Sequence, residues 1–254
     1  MIRVIKIGGR AQGDPALPAA FSRACASGAR VCVVHGGGDE VTALQRALGQ
    51  EPRFVNGRRA TTPQELAVVR MVLSGTVNKR LVGEFSQAGV PAVGLSGEDG
   101  ALLGCEVFGD GVLGAVGVPS TVQPMVLHAL MDAGFVPVVS PLGRFMTGGG
   151  GCNVNGDDAA AAIAAALGAT DLLLVADVPG VLDAAGAPIS RLAANEASAL
   201  ISSGVATGGM IAKLEACLRA LVHGVTRVRI GGIAAIPDLG AGTLVTAESL
   251  ATRR

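Results

Sequence analysis

Short runs rich in Val, Ile and Leu alternate with helix-period segments along the whole chain, and several of these runs end at glycines. Residues 2–7 lead into Gly8-Gly9, and 31–35 into Gly36-Gly37-Gly38. Residues 91–95 lead into Ser96-Gly97-Glu98-Asp99-Gly100, 172–176 into Asp177-Val178-Pro179-Gly180, and 225–230 into Gly231-Gly232. Further strands are expected at 136–140 and 244–246, with helices at 15–27, 39–48, 122–132, 157–167, 194–202 and 210–222. Thr62-Pro63-Gln64-Glu65 has the form of a capping box with proline in the first helical position, so a long helix is expected over 63–87. Residues 102–118 read as a β-meander turning at Gly109-Asp110-Gly111, and 143–154 as a hairpin-like insert.

Strands alternating with helices at this spacing specify an α/β fold, a three-layer αβα sandwich with a mainly parallel open central sheet. Apolar residues run nearly unbroken through the strands, as they must where helices cover both faces. Residues 1–254 are expected to form one unit, with approximate lobes at 1–168 and 169–254. In open sheets of this kind ligands bind beyond the carboxyl ends of the strands. Glycines there let backbone N–H groups approach an anion without an intervening Cβ, so the strand exits are read as an anion-binding crevice.

Composition removes several function classes. The 20 basic and 20 acidic residues cancel, so no cationic excess serves a nucleic-acid backbone. Trp and Tyr are absent and Phe numbers six, which leaves little for base stacking. Half the residues are hydrophobic and 16% charged, which argues against disorder. The apolar stretch 159–169 is too short to cross a bilayer, and no signal peptide is expected at the N-terminus. Five cysteines at irregular spacing, with no CxxC pair, suit a reducing compartment better than a disulfide framework or a zinc site. A cytoplasmic protein without nucleic-acid, membrane or resident-metal partners is expected.

Two glycine motifs are discounted. Gly109-Asp110-Gly111-Val112-Leu113-Gly114 matches GxGxxG but opens no helix, and Gly148 to Gly151 reads as a hairpin tip. The chain has no GxxxxGK[ST] P-loop. The informative residues are charges in unexpected places. Lys6 stands between Ile5 and Ile7 at the end of a strand, where an unpaired ammonium costs several kcal/mol. Lys213 lies in the first turn of a helix, against the dipole, and off the stripe expected from Ile211, Leu214, Leu218 and Leu221. Asp157 opens the Ala-rich helix, as a cap or as a functional carboxylate. Arg59 stands beside a turn and suits a carboxylate clamp. His35 closes a strand, either as a catalytic group or as a structural cap. Cys152 has no evident base and is not read as a nucleophile.

Taken in order, Lys6-Ile7-Gly8-Gly9, Val34-His35-Gly36-Gly37-Gly38, Asn56-Gly57-Arg58-Arg59-Ala60-Thr61, Gly94 to Gly100, Asn153-Val154-Asn155-Gly156-Asp157, Asp177 to Leu182 and Gly208 to Lys213 resemble the acetylglutamate kinase family of the amino-acid kinase superfamily. The resemblance spans nearly the whole chain. It implies ATP-dependent phosphorylation of the γ-carboxylate of N-acetyl-L-glutamate, the second step of arginine biosynthesis. It implies catalytic roles for Lys6, Lys213, Asp157, Gly8 and Gly9. Acyl-substrate contacts are implied for Gly37, Gly38, Arg59 and Asn153. An ATP site is implied at Asp177, Val178, Pro179, Gly180, Val181, Leu182, Val205, Ala206 and Thr207. Mg-ATP is the implied phosphate donor, with Mg²⁺ held mainly through the phosphates. By the same resemblance 1–168 would be the acyl-substrate and dimerisation lobe and 169–254 the nucleotide lobe.

The chain departs from the family pattern at Arg10, where a small residue is usual, at Arg58 and Ala60, where the pair around the clamp arginine is apolar, and at Gly156, where alanine is common. It begins directly at the first strand, without the extra N-terminal helix of the arginine-inhibited members, and by resemblance alone this implies an arginine-insensitive homodimer. The competing readings are a kinase of a related acyl amino acid such as carrier-bound aminoadipate, a catalytically inactive ligand sensor on the same fold, and a nicotinamide oxidoreductase.

Overall fold

A computed structural model describes residues 1–55 and 57–247. Asn56, which opens the 56–61 motif, and residues 248–254 of the second expected lobe lie outside the described residues. The first part of the chain forms β1 (Ile2–Ile7), α1 (Leu17–Ala26), β2 (Arg30–His35) and α2 (Gly38–Ala47). A small hairpin of β3 (Phe54–Val55) and β4 (Arg58–Arg59) precedes α3 (Pro63–Arg70), a π-helical turn (Met71–Val77) and α4 (Asn78–Gln87). Then come β5 (Ala92–Ser96), β6 (Leu103–Val107), β7 (Val116–Val122), α5 (Met125–Asp132), β8 (Val136–Ser140), β9 (Leu142–Phe145) and β10 (Gly151–Val154). The remainder comprises α6 (Gly156–Ala166), β11 (Asp171–Val175), β12 (Arg191–Ala193), α7 (Ala194–Ser202), α8 (Gly209–Val222), β13 (Arg227–Gly231) and β14 (Thr243–Thr246).

Eight strands form one sheet in the order β12-β14-β13-β11-β1-β2-β8-β5. The run from β13 to β5 is parallel, and β14 enters antiparallel to β13. The α/β architecture expected from the sequence is therefore present, with helices on both faces. Helices α1 to α4 pack one face through Phe21, Val41, Leu66, Leu81 and Phe85. Helices α5 to α8 pack the other through Leu127, Ile163, Ala197, Leu214 and Cys217. Strand β1 alternates between them, sending Ile5 and Ile7 to the first cluster and Val4 to the second. Its period of two puts Lys6 on the Val4 face, toward α6 and α8.

The capping box forms as expected. Thr62 Oγ1 accepts from the Glu65 N–H at 3.2 Å, and Glu65 Oε2 accepts from the Thr62 N–H at 2.6 Å. The expected single helix over 63–87 is interrupted by the π turn, and Asn78 just beyond it is fully buried, donating to the carbonyls of Leu95 and Val138. The helix expected over 122–132 starts only at Met125. Residues up to Val122 stay extended because β7 pairs with β6, and a bulge between Gly104 and Cys105 accommodates Pro119 in that ladder. The 102–118 and 143–154 segments join in a small closed barrel, β10-β7-β6-β9, which sequence periodicity does not reveal.

At the opposite edge from the glycine-rich exits, Asp171 pairs with Arg3 at 3.0 Å and with Arg229 at 2.9 Å, all three being essentially inaccessible. The spare guanidinium donors reach the carbonyls of Ile236, Ala235, Asp238 and Ala241, which fastens the turn before β14 under the sheet.

Candidate functional site

Lys6 lies in register between Val34 of β2 and Leu174 of β11 at the carboxyl end of the parallel strands. It is 8% exposed. Its Nζ is 2.8 Å from Asp157 Oδ1, and Lys213 Nζ lies 3.2 Å from Asp157 Oδ2. One carboxylate in the first turn of α6 thus joins β1 to α8. Burial pulls the Lys6 ammonium below its ordinary value, Asp157 opposes this, and the neighbouring Lys213 adds to the depression. Burial works to raise the Asp157 carboxyl, and the two ammonium groups outweigh it, holding the group below the usual carboxylate range.

Helix capping at this point belongs to Asn155. Its Oδ1 accepts from the N–H groups of Asp157 and Asp158 at 2.8 and 3.2 Å, which leaves the Asp157 carboxylate for the lysines. Lys213 is not off the buried stripe of α8, contrary to the sequence expectation. The buried positions are Leu214, Ala216, Cys217 and Ala220, while Ile211, Leu218 and Leu221 are only partly covered. Small residues pack closely against the Ala-rich α6, and Lys213 falls on that same side, three and four residues before Ala216 and Cys217.

Two cavities adjoin here and share Gly38; Gly156, packed beside Lys6, lines the first and Lys213 lines the second. The first is walled by Gly36, Gly37, Gly38, Phe54, Arg59 and Asn153, with Arg58, Leu73 and the segment 153–156 around them. Gly37 has φ +149°, and a Cβ there would stand 2.7 Å from Leu73 Cδ2, so only glycine lets the chain turn from β2 into α2. The N-terminus of α2 then faces this cavity with unpaired N–H groups. Arg59 is buried in the wall and stacks over Phe54, with its Cζ 4.6 Å from the ring centroid. It donates to the Gly38 carbonyl at 2.8 Å, to Thr42 Oγ1 at 2.7 Å and to Gln45 Oε1. Burial depresses its guanidinium, against the pull of Glu65 and Asp39. Asn153 Nδ2 donates to Thr61 Oγ1 at 3.1 Å, tying β10 to the residues after the hairpin.

The second cavity is lined by Gly8, Gly9, Arg10, Gly38, Asp39, Val175 to Val178, Gly209, Met210 and Lys213. Asp177 pairs with Arg10 at 3.1 Å across its exposed mouth. Val178 and Pro179 continue into an adjoining recess with Gly232 and Ile233. Gly180 and Val181 turn inward. The Val181 N–H donates to Thr243 Oγ1 at 2.8 Å, and a Cβ on Gly180 would meet the same oxygen at 2.6 Å. Leu182 bridges to Pro188, which closes that loop. Val205, Ala206 and Thr207 precede α8, whose own Gly209 and Met210 supply the cavity wall.

His35 is not placed for proton transfer. It is fully buried, its Nδ1 donates to the Gly36 carbonyl at 2.7 Å, and its Nε2 accepts from Asn78 Nδ2 at 3.1 Å. Burial lowers its pKa to about 4, so the ring is neutral at pH 7 and serves to hold the Gly36 peptide. Cys152 is buried inside the small barrel beside Cys105. Asp39, Thr42, Gln45, Asn78, Asp158 and Thr243 are site or supporting residues that the sequence reading missed. Only Asp158, a second acid at a helix start, left a visible signal.

Comparison with known proteins places this geometry among relatives. The model of the amino acid kinase family matches residues 1–232. The chain is 46% identical over 229 residues to the acetylglutamate kinase of Geobacillus kaustophilus (strain HTA426), covering 89% of this chain and 88% of that protein. It is 43% identical over 254 residues to the acetylglutamate kinase of Cereibacter sphaeroides (strain ATCC 17029 / ATH 2.4.9), covering 95% and 86%. Among solved structures, smu.665 from Streptococcus mutans UA159 superposes with a TM-score of 0.88 at 29% identity, over 97% of this chain and 99% of that one.

Proposed function

The chain belongs to the amino acid kinase family, and from that premise we propose that it transfers the γ-phosphoryl group of ATP to the γ-carboxylate of N-acetyl-L-glutamate. The observation that carries the proposal is the pair Lys6 and Lys213 on the single carboxylate Asp157, with Lys213 in the wall of the second cavity and Lys6 behind Gly156 of the first. A carboxylate acceptor is already ionised at neutral pH and needs no general base. The neutral, fully engaged His35 accords with that. The difficulty lies in bringing an anion to a polyanion, and cations with oriented N–H groups answer it.

In this reading the acyl substrate occupies the cavity of Gly37, Gly38, Arg59 and Asn153. Arg59 faces its α-carboxylate, and the N-terminus of α2 lies against its anionic groups. Mg-ATP enters the second cavity. Asp177 to Leu182, with Val205 to Thr207, form the loops around the nucleotide, Gly180 and Val181 shaping them from within. Gly8 and Gly9 supply backbone N–H groups to the phosphates. Two ammonium groups carry six N–H donors, and one carboxylate cannot satisfy them all. Asp157 therefore fixes Lys6 and Lys213 and still leaves donors for the phosphoryl group in flight.

Magnesium arrives as part of the substrate, held mainly through phosphate oxygens and water. Among the described residues no group of three His, Cys, Asp or Glu side chains is placed to hold a metal by itself. We place the nucleotide lobe at 169–254 and the acyl-substrate and dimerisation lobe at 1–168. We further read the protein as a cytoplasmic homodimer serving arginine biosynthesis. Five free thiols support the compartment.

The test is ADP release from Mg-ATP with and without N-acetyl-L-glutamate, trapping the acyl phosphate with hydroxylamine. Hydroxamate is expected with N-acetyl-L-glutamate and not with free glutamate, aspartate or N-acetyl-aminoadipate. Nucleotide binding without hydroxamate from any acceptor would overturn the reaction while leaving the fold in place.

A further inference from the structure

Asp157 and Asp158 stand side by side in the first turn of α6, and each is buried. Asp157 joins β1 to α8 through two lysines. Asp158 joins a different pair through two arginines. Arg58 Nη2 of the β3–β4 hairpin lies 2.7 Å from Asp158 Oδ2, and Arg219 Nη2 of α8 donates to Asp158 Oδ1. The Arg58 guanidinium is also stacked over Phe108, with its Cζ 4.5 Å from the ring centroid. Arg58 is one of the positions where this chain carries a charge in place of an apolar residue of the family pattern.

The two ends of this network lead to the two cavities. Arg59 follows Arg58 on the same two-residue strand and forms part of the acyl-substrate wall. Arg219 sits six residues after Lys213 on α8, about 9 Å along a rigid helix, and Lys213 lines the nucleotide cavity. Withdrawing Arg58 would leave the buried Asp158 with Arg219 alone, a penalty that favours one tethered state of the hairpin.

We propose that Asp158 is a positioning residue that couples the two substrates, so that occupation of the acyl cavity strengthens nucleotide binding and the reverse. This rests on the reaction proposed above. A ligand seated against Arg59 favours the tethered hairpin. The tethered hairpin fixes Asp158, and Asp158 holds α8 where Lys213 meets phosphate. Linkage requires the effect to be equal in both directions.

The experiment is an equilibrium titration of the full chain with ADP, alone and with saturating N-acetyl-L-glutamate. In the unaltered protein the acyl ligand is expected to tighten ADP binding roughly fivefold or more. In Asp158→Asn the enhancement is expected to fall below about twofold, with ADP affinity alone changed by less than about threefold. Arg58→Leu keeps the Asp158–Arg219 pair and, at N-acetyl-L-glutamate concentrations that saturate this variant in a direct titration, is expected to lose the enhancement as well, so it decides the matter if Asp158→Asn fails to fold. Amide hydrogen exchange without ligands is expected to speed up at Arg59 and Ala60 in both variants. Coupling that survives in Arg58→Leu overturns the proposal, as does an unaltered protein that binds both ligands independently. An unaltered protein that binds ADP and no N-acetyl-L-glutamate overturns the reaction beneath it instead.

Discussion

Strand β1 contributes, at its two ends, to two buried clusters of one carboxylate and two cations. At the glycine-poor edge, Arg3 of β1 and Arg229 of β13 close on Asp171 of β11. At the glycine-rich edge, Lys6 of β1 and Lys213 of α8 close on Asp157 of α6. The difference lies in what happens to the remaining donors. The planar guanidinium forks direct seven hydrogen bonds to Asp171 and to four backbone carbonyls, so the lower cluster finds its partners within the protein. The upper cluster borders a cavity, and its ammonium groups have more donors than Asp157 has lone pairs. A network whose donors find protein partners is structural, whereas in the proposed reading the one of the same formal charge with donors to spare meets an anion.

The largest effect that tests this contrast is on turnover. Lys6→Ala and Lys213→Ala are each expected to lower kcat by roughly three orders of magnitude with a smaller change in KM. Lys6→Arg is expected to lose most of it too, although charge is kept, because the fork would close on Asp157 as Arg229 does on Asp171. Hydroxamate kinetics read the loss, and a fall confined to KM would remove the lysines from the transfer step. Breaking the lower cluster should act on stability instead. Asp171→Ala leaves two buried guanidinium groups unpaired and is expected to cost about 3–5 kcal/mol in urea unfolding, with turnover per folded molecule retained. Equal damage to turnover and stability in both sets would dissolve the distinction.

A third effect is pH-linked. His35 has a folded pKa of about 4 against 6.5 for the free side chain, the cause being burial. Between those values the unfolded chain binds the extra proton. Stability is therefore full above about pH 6.5 and declines as pH falls toward 4, by about 3 kcal/mol in all. The Asp157 carboxyl, held low, adds its own loss at still more acidic pH. His35→Gln should flatten the slope between pH 6.5 and 4, and an unchanged slope would show that the ring takes up a proton without unfolding. The smallest effect is expected at the acyl wall. Arg59→Ala should raise KM for N-acetyl-L-glutamate roughly tenfold or more while KM for ATP moves little, as for a lost charge-assisted hydrogen bond. An unchanged acyl KM would leave Arg59 as a brace for α2 alone.

Much of the upper cluster was legible because it breaks local rules. A lysine between two isoleucines and a cation in the first turn of a helix both lack a local partner, and the sequence shows that lack directly. The capping box and the glycine exits are equally local, and the structure keeps them. The lower cluster was invisible for the opposite reason. Arg3, Asp171 and Arg229 each sit at a strand position where a charge could face solvent, and only the sheet order brings them together. The buried face of α8 was misjudged because Ala216, Cys217 and Ala220 carry little apolar weight in a periodicity argument, yet close helix packing selects small residues. The extra extended residues before α5 were hidden likewise, since pairing with β6 holds 116–122 extended.

The sequence by itself determined the α/β class, most of the alternation of strands and helices, the glycine-rich strand exits and the two lysines that lack a local partner. Each follows from interactions within a few residues: periodicity, capping, glycine geometry and uncompensated charge. Tertiary structure alone decided that Asp158, beside Asp157, would hold two arginines. It also decided that an identical charge count at the other end would be structural. Those outcomes depend on which distant donors reach a given acceptor and which remain unsatisfied, and chain order does not encode that until the sheet is assembled.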